Sequence, residues 1–308
     1  MKKVWHYLVK HVKEDFHAAH YAVVLIILTA SLAFNYTVDF EDRYLDTLPP
    51  IKRLLAYFAM YTTLFYATVL SSAFFTKSSP FRSRKFWIIS LAGLVCLSVD
   101  AGAPFLNWML AGNIPNQLYI WAFKVLNNLM SFFIVFIPII ILHRCIETND
   151  RSLYGLKRQA FDAKPYFTML LIMLPLMIIV SFQSGFQKQY PMYHPTQAHE
   201  YLGVGEWFTV LSYEIAYGLD FITVEYLFRG LFVIGLAPFL NRSGVLAMAV
   251  IYCSLHFGKP AGEAISSIFG GYILGVVAYE TKSVWGGVIV HVGIAWLMEI
   301  IGFAHKFL

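Results

Sequence analysis

Stretches of about 20 apolar residues, each long enough to cross roughly 30 Å of hydrocarbon as a helix, recur from one end of this chain to the other. They lie near 20–36, 54–75, 86–111, 118–143, 166–185, 207–237, 244–257, 264–280 and 284–303. Hydrocarbon offers no water to the backbone N–H and C=O groups, so such runs must close their hydrogen bonds internally, as helices do. The expected fold is an all-α polytopic membrane protein, a bundle of eight or nine transmembrane helices. The seventh and eighth runs are short, and the sixth is long enough to break near Gly218. Composition agrees: of 308 residues 58% are hydrophobic and 13% charged, far more apolar surface than a soluble globule needs for its core.

Lysine and arginine set the expected orientation. Lys2, Lys3, Lys10 and Lys13 precede the first run, Lys77, Arg82, Arg84 and Lys85 follow the second, and Arg144, Arg151, Lys157, Arg158 and Lys164 follow the fourth. These segments belong on the cytoplasmic side. The alternate loops hold Asp39, Glu41, Asp42 and Asp46, or, over 186–206, Lys188 as their single lysine. Lys52 and Arg53 run against this scheme without outweighing it. The net charge of +5 is thus a topology signal with some attraction to anionic lipid headgroups. No motif of a nucleic-acid reader accompanies it, so no nucleic-acid partner is expected and membrane lipids are.

Four segments are expected: a cytoplasmic amphipathic segment over 1–19, an N-terminal transmembrane bundle over 20–143, a charged cytoplasmic connector over 144–165, and a core over 166–308. Residues 1–19 mix charged groups with Val4, Trp5, Leu8, Val9, Val12 and Phe16, the pattern of a surface helix rather than of a cleaved signal, so Met1 is expected to stay on the chain. Cys96, Cys145 and Cys253 have no disulfide-like context and form no CxxC. Gly270, Gly271 and Gly275, with Gly286 and Gly287, would let helices of the core approach closely.

Within that core, Glu225 with Arg229, His256 and His291 interrupt apolar runs. Ionisable groups at membrane depth cost roughly 2.5 kcal/mol or more and usually face a protein interior with a purpose. Counting about 1.5 Å per residue from the expected cytoplasmic ends puts Glu225 roughly 18 Å deep, His256 roughly 20 Å and His291 roughly 12 Å. A carboxylate and two imidazoles at similar depth can bind a metal ion, zinc above all, or hold and deprotonate a water.

The run Val224-Glu225-Tyr226-Leu227-Phe228-Arg229-Gly230, then Tyr252 with His256, Gly270 to Gly275, Ser283 to Trp285, and His291 resembles the CPBP family of intramembrane proteases, which includes CAAX-processing endopeptidases and bacterial Abi proteins. The family pattern is Glu-Glu-x-x-x-Arg, Phe-x-x-x-His and His-x-x-x-Asn or Asp, and the resemblance covers about 205–300. It implies an integral protein of a bacterial inner membrane with its N-terminus cytoplasmic, hydrolysing peptide bonds of membrane-associated peptides or proteins with a carboxylate/His-activated water. By the same resemblance His256 and His291 are catalytic and Arg229 and Tyr252 support them; Glu225, at the second-glutamate position, is taken as the carboxylate of the catalytic set and Asp220 as a further supporting residue. Metal use stays open; if a metal takes part, Glu225, His256 and His291 are its ligands.

Two positions depart from the pattern: Val224 stands for the first glutamate, the family's base, and Ala295 for the last Asn or Asp. Asp220 lies one helical turn before Val224, Glu214 about three turns before Glu225, and Glu299 eight residues beyond His291 on its face. Asp220 or Glu225 is expected to supply the carboxylate beside His256. Plainer roles stand beside these. Glu225 and Arg229, at i and i+4, can simply neutralise each other, the two histidines can bridge helices, and Asp100 and Lys124 can form a structural salt bridge. No HExxH, GxSxG, P-loop or GxGxxG motif is present. Three functions compete: an intramembrane endopeptidase, a catalytically degenerate homologue acting as a membrane binding or chaperone protein, and a transporter.

Overall fold

The structure is a computed structural model that describes residues 1–147, 152–157 and 162–307. It is an all-α polytopic membrane protein. A surface helix α1 (Lys2–Asp15) precedes α2 (Ala18–Val38), α3 (Pro50–Thr76), α4 (Arg84–Gly102) and α5 (Asn116–Ile146). The second block holds α6 (Lys164–Val180), α7 (Glu206–Gly235), α8 (Gly244–Ser254), α9 (Ala261–Thr281) and α10 (Trp285–Phe307).

Among the described residues six helices are long and apolar enough to cross a membrane, or seven when α7 and α8 count as one span bent by 43°. The expectation of eight or nine counted α7 and α8 separately and included α6, which is apolar but has only 17 residues. The break foreseen near Gly218 is absent there: α7 runs through Gly218, where the missing side chain admits the Trp296 ring of α10. From Tyr226 to Gly235 the same helix is π-helical, and the chain bends after it.

Helix α8 explains where the core lies. Its 11 residues, Gly-Val-Leu-Ala-Met-Ala-Val-Ile-Tyr-Cys-Ser, are apolar all round and all buried, the signature of a helix enclosed by others. It is packed by α2, α3, α9 and the π-helical end of α7. Gly275 lets α9 close onto Met248 and Val245, and Gly271 lets it close onto the Tyr252 ring. At one end α1 docks on α9 through Arg242, which pairs with Glu14 at 2.6 Å and with Glu280, while Lys10 reaches Glu280 at 3.3 Å.

Of the connector, residues 144–147, 152–157 and 162–165 are described, and Arg151 and Arg158 lie outside the described residues. Tyr154 is buried against Gly235, Val284 N–H donates to the Gly155 carbonyl (3.2 Å), and Trp285 Nε1–H donates to the Leu156 carbonyl (2.8 Å). This turn therefore seats the start of α10. A second strap, residues 189–193, crosses the other end of α10. Glu299 accepts the N–H groups of Met192 (2.7 Å) and Tyr193 (3.3 Å), and the backbone at Tyr190 and Pro191 fits only over Gly302. Lys124 donates to the Met192 carbonyl (2.6 Å), so it clamps the strap and forms no salt bridge with Asp100. Backbone carbonyl groups left over at a turn compete well for an ammonium group, and this one lies within its reach.

Candidate active site

Glu225 is the last α-helical residue of α7 before its π-helical stretch, and helix irregularities of that kind recur at functional sites. Its side chain is fully buried. Three groups meet it: Arg229 Nη1 lies 2.8 Å from Oε1, His291 Nδ1 lies 3.0 Å from the same oxygen, and Oε2 takes up the space that a Cβ would need at Gly287 in the first turn of α10. Any side chain at 287 would fill the space that the carboxylate occupies. The glycine pair at the head of α10, legible in the sequence as a packing device, is thus also the seat of the acid.

The carboxylate accepts, so His291 donates through Nδ1–H and presents the lone pair of Nε2 on its other side. That nitrogen faces the Tyr252 hydroxyl at 3.2 Å. The Phe221 ring packs against the imidazole, centroids 4.3 Å apart and tilted by 42°; nothing in the motif spacing marked this residue. His291 keeps 15% of its side chain accessible while Glu225 keeps none, so the imidazole is the member of the pair that a reactant can reach.

His256 sits in the turn that follows α8. Its Nδ1–H donates to the Tyr252 carbonyl one turn back (2.9 Å), which leaves Nε2 as an acceptor. Its ring is 4.9 Å from the Tyr252 ring, and His291 is 6.0 Å from the same ring, so one phenol lies between the two imidazoles. Arg229, 1% exposed, pairs with Glu225 without the alignment of a hydrogen bond and lies over the Tyr252 ring, 4.4 Å from its centre. Positive guanidinium and negative carboxylate together leave the buried pair near neutral.

The sequence-derived candidates divide. Glu225, Arg229, Tyr252, His256 and His291 converge. Asp220 turns away and accepts a hydrogen bond from Ser131 of α5, whereas Glu299 and Glu214 lie side by side near the strap. Glu225 accepts from His291, and neither it nor Asp220 is hydrogen-bonded to His256. One turn of helix separates Asp220 from Val224, but the facing helix at Asp220 is α5, whose serine takes the carboxylate. Val224 itself packs against the main apolar core, and Ala295 is buried.

A zinc ion at this set would need several lone pairs aimed at one point. Both nitrogens of His291 are engaged, and among the described residues no three His, Cys, Asp or Glu side chains are grouped as metal ligands. The arrangement as it stands does not fit such an ion.

Residues 206–297, which contain every converging side chain, match the family described as Rce1-like, type II CAAX prenyl endopeptidase Rce1-like. This segment resembles the Rce1-like family. The Rce1-like match begins with α7 and ends six residues beyond His291, so it takes in the Glu225, His256 and His291 positions in one stretch. No curated protein and no solved structure matches the chain. The Rce1-like family is one of proteases, and the chain around it is an integral membrane protein.

Proposed function

We propose that this protein is an intramembrane endopeptidase that hydrolyses peptide bonds of membrane-associated peptides or proteins. The observation that carries the reading is the Glu225–His291 pair: a buried carboxylate holding one imidazole nitrogen while the other presents its lone pair, inside an Rce1-like segment. A carboxylate on Nδ1–H fixes the tautomer and stabilises the imidazolium that forms when Nε2 takes a proton.

In the reaction a water at His291 Nε2 attacks the scissile carbonyl carbon. Its proton passes to Nε2 as the new C–O bond forms and negative charge moves to the carbonyl oxygen. Collapse of that intermediate breaks the C–N bond, and the imidazolium returns the proton to the departing amine. His256 Nε2, also an acceptor, holds the second hydrogen of the water. Arg229 Nη1, 2.8 Å from Glu225 Oε1, places a positive charge beside the carboxylate. These roles differ from the expectation that the carboxylate would stand beside His256, because the carboxylate is bonded to His291.

The distribution of lysine and arginine supports an N-terminus at the cytoplasmic face, and the family resemblance supports a bacterial inner membrane, with surrounding lipids and the membrane-borne substrate as partners.

The full-length protein in liposomes, offered membrane-anchored peptides, will release fragments identifiable by mass spectrometry. Glu225→Gln and His291→Ala will slow that release by about 10²–10⁴-fold, the usual worth of a positioned base. Equal fragment yields from all three proteins would sink the reading. A second reading, a homologue that binds membrane peptides without cleaving them, is favoured by Val224 at the first glutamate position. Cleavage by Val224→Glu alone, with an inert wild type, would select it.

A further inference from the structure

The hydrolysis just described needs a hydrogen-bond donor for the carbonyl oxygen, and the side chains of the site are short of one. Glu225 is an acceptor. His291 and His256 each spend their N–H on an oxygen, the carboxylate in one case and a backbone carbonyl in the other, and present lone pairs at Nε2. Ala295, one turn beyond His291, has no polar atom to offer. Arg229 has donors, but it is packed over the Tyr252 ring and paired with Glu225. Among these side chains the uncharged donor at His291 Nε2 is the Tyr252 hydroxyl, 3.2 Å away.

We propose that the Tyr252 hydroxyl is a catalytic donor of this site: it rests on His291 Nε2 and, once a water takes that nitrogen, turns its hydrogen bond to the scissile carbonyl oxygen as charge develops there. The proposal deepens the endopeptidase reading and rests on it. Three features of the geometry support it. The phenol stands between both imidazoles, its ring 4.9 Å from His256 and 6.0 Å from His291, so its oxygen is close to wherever they hold a water. The ring is fixed by Arg229 above it and by Phe228 at 5.1 Å, which leaves the O–H rotor as the moving part. A guanidinium over the ring draws electron density from the phenol and strengthens its O–H as a donor. No proton leaves the tyrosine in this step; the hydrogen bond changes acceptor from an imidazole nitrogen to an oxyanion, as in other preorganised oxyanion sites.

Tyr252→Phe deletes one oxygen and keeps the ring contacts. In full-length protein reconstituted with a membrane-anchored peptide, it is expected to lower kcat by about 100-fold, the cost of one oxyanion donor, with KM changed by less than about threefold and an unaltered unfolding temperature. Wild-type kcat in Tyr252→Phe, with His291→Ala inactive, would overturn the donor role and leave the endopeptidase reading standing. A wild type without turnover would overturn both. A matched fall in kcat and unfolding temperature would also overturn it, since that is the mark of a packing residue. A readout independent of turnover is the ¹⁵N spectrum of the histidines: Tyr252→Phe should move the His291 Nε2 signal to that of a nitrogen accepting no phenol hydrogen bond and leave His256 in place. An unmoved His291 signal contradicts the proposal.

Discussion

At the residue scale the motif spacing pointed at Glu225, His256 and His291, and the structure brings two of them into a direct hydrogen bond. Which two was not legible. Neighbouring helix positions differ by about 100°, so Glu225 cannot stand where a glutamate at 224 would, and its partner depends on which helix faces it. That helix is α10, which approaches because Gly287 has no side chain. A methyl group placed there collides with Glu225 Oε2, so Gly287→Ala is expected to lower stability by ~1–3 kcal/mol and to abolish cleavage together, measured by thermal unfolding in detergent and by peptide turnover. Gly270→Ala, whose Cβ would meet nothing nearby, should leave both unchanged. Tyr252 reads in the sequence as a mild replacement for phenylalanine; its hydroxyl acquires meaning only from the imidazole beside it.

At the element scale, two attachments hold α9 and α10 in register with the rest. The strap over residues 189–193 depends on Glu299, which satisfies two backbone N–H groups that would otherwise be left unpaired. Glu299→Ala should therefore speed hydrogen exchange at Met192 and Tyr193 while the amides of α8 stay protected. Sequence placed Glu299 on the face of His291 but could not supply its partner, because the strap is a segment over 100 residues away in the chain. At the opposite end, α1 is pinned by Arg242 and by His11, which is buried beside Tyr272 and Tyr279. Burial, helped by the positive charge of Arg242, lowers the His11 pKa from 6.5 to about 4. A group with a depressed pKa favours the docked state above pH 6.5 and opposes it as pH falls toward 4. Protection factors across α1, taken relative to the intrinsic exchange rate at each pH, should thus fall between pH 7 and pH 5, and His11→Phe should flatten that response. The amphipathic character of 1–19 was readable; the burial of His11 on its inner face was not, since nothing in the sequence sets it apart from His6 and His17 in the same charged segment.

On the scale of the whole molecule, orientation is open to a direct check through Cys145, an exposed thiol at the end of α5, with Cys253 buried and Cys96 only partly accessible. A membrane-impermeant maleimide should label Cys145 in inside-out vesicles and spare it in right-side-out ones if the charge distribution sets the topology. The apolar runs alone determined that this chain is a helical membrane protein, because hydrocarbon permits little else to a backbone that must satisfy itself. The motif spacing alone determined which third of it holds the polar site. Tertiary structure decided the rest: that the chain bends by 43° between α7 and α8 and encloses α8 among the other helices, that Asp220 belongs to Ser131, and that Glu225 belongs to His291. Hydrophobicity is a property each segment has by itself, whereas the partner of a buried charge is set by whatever the packing of distant helices brings within about 3 Å of it.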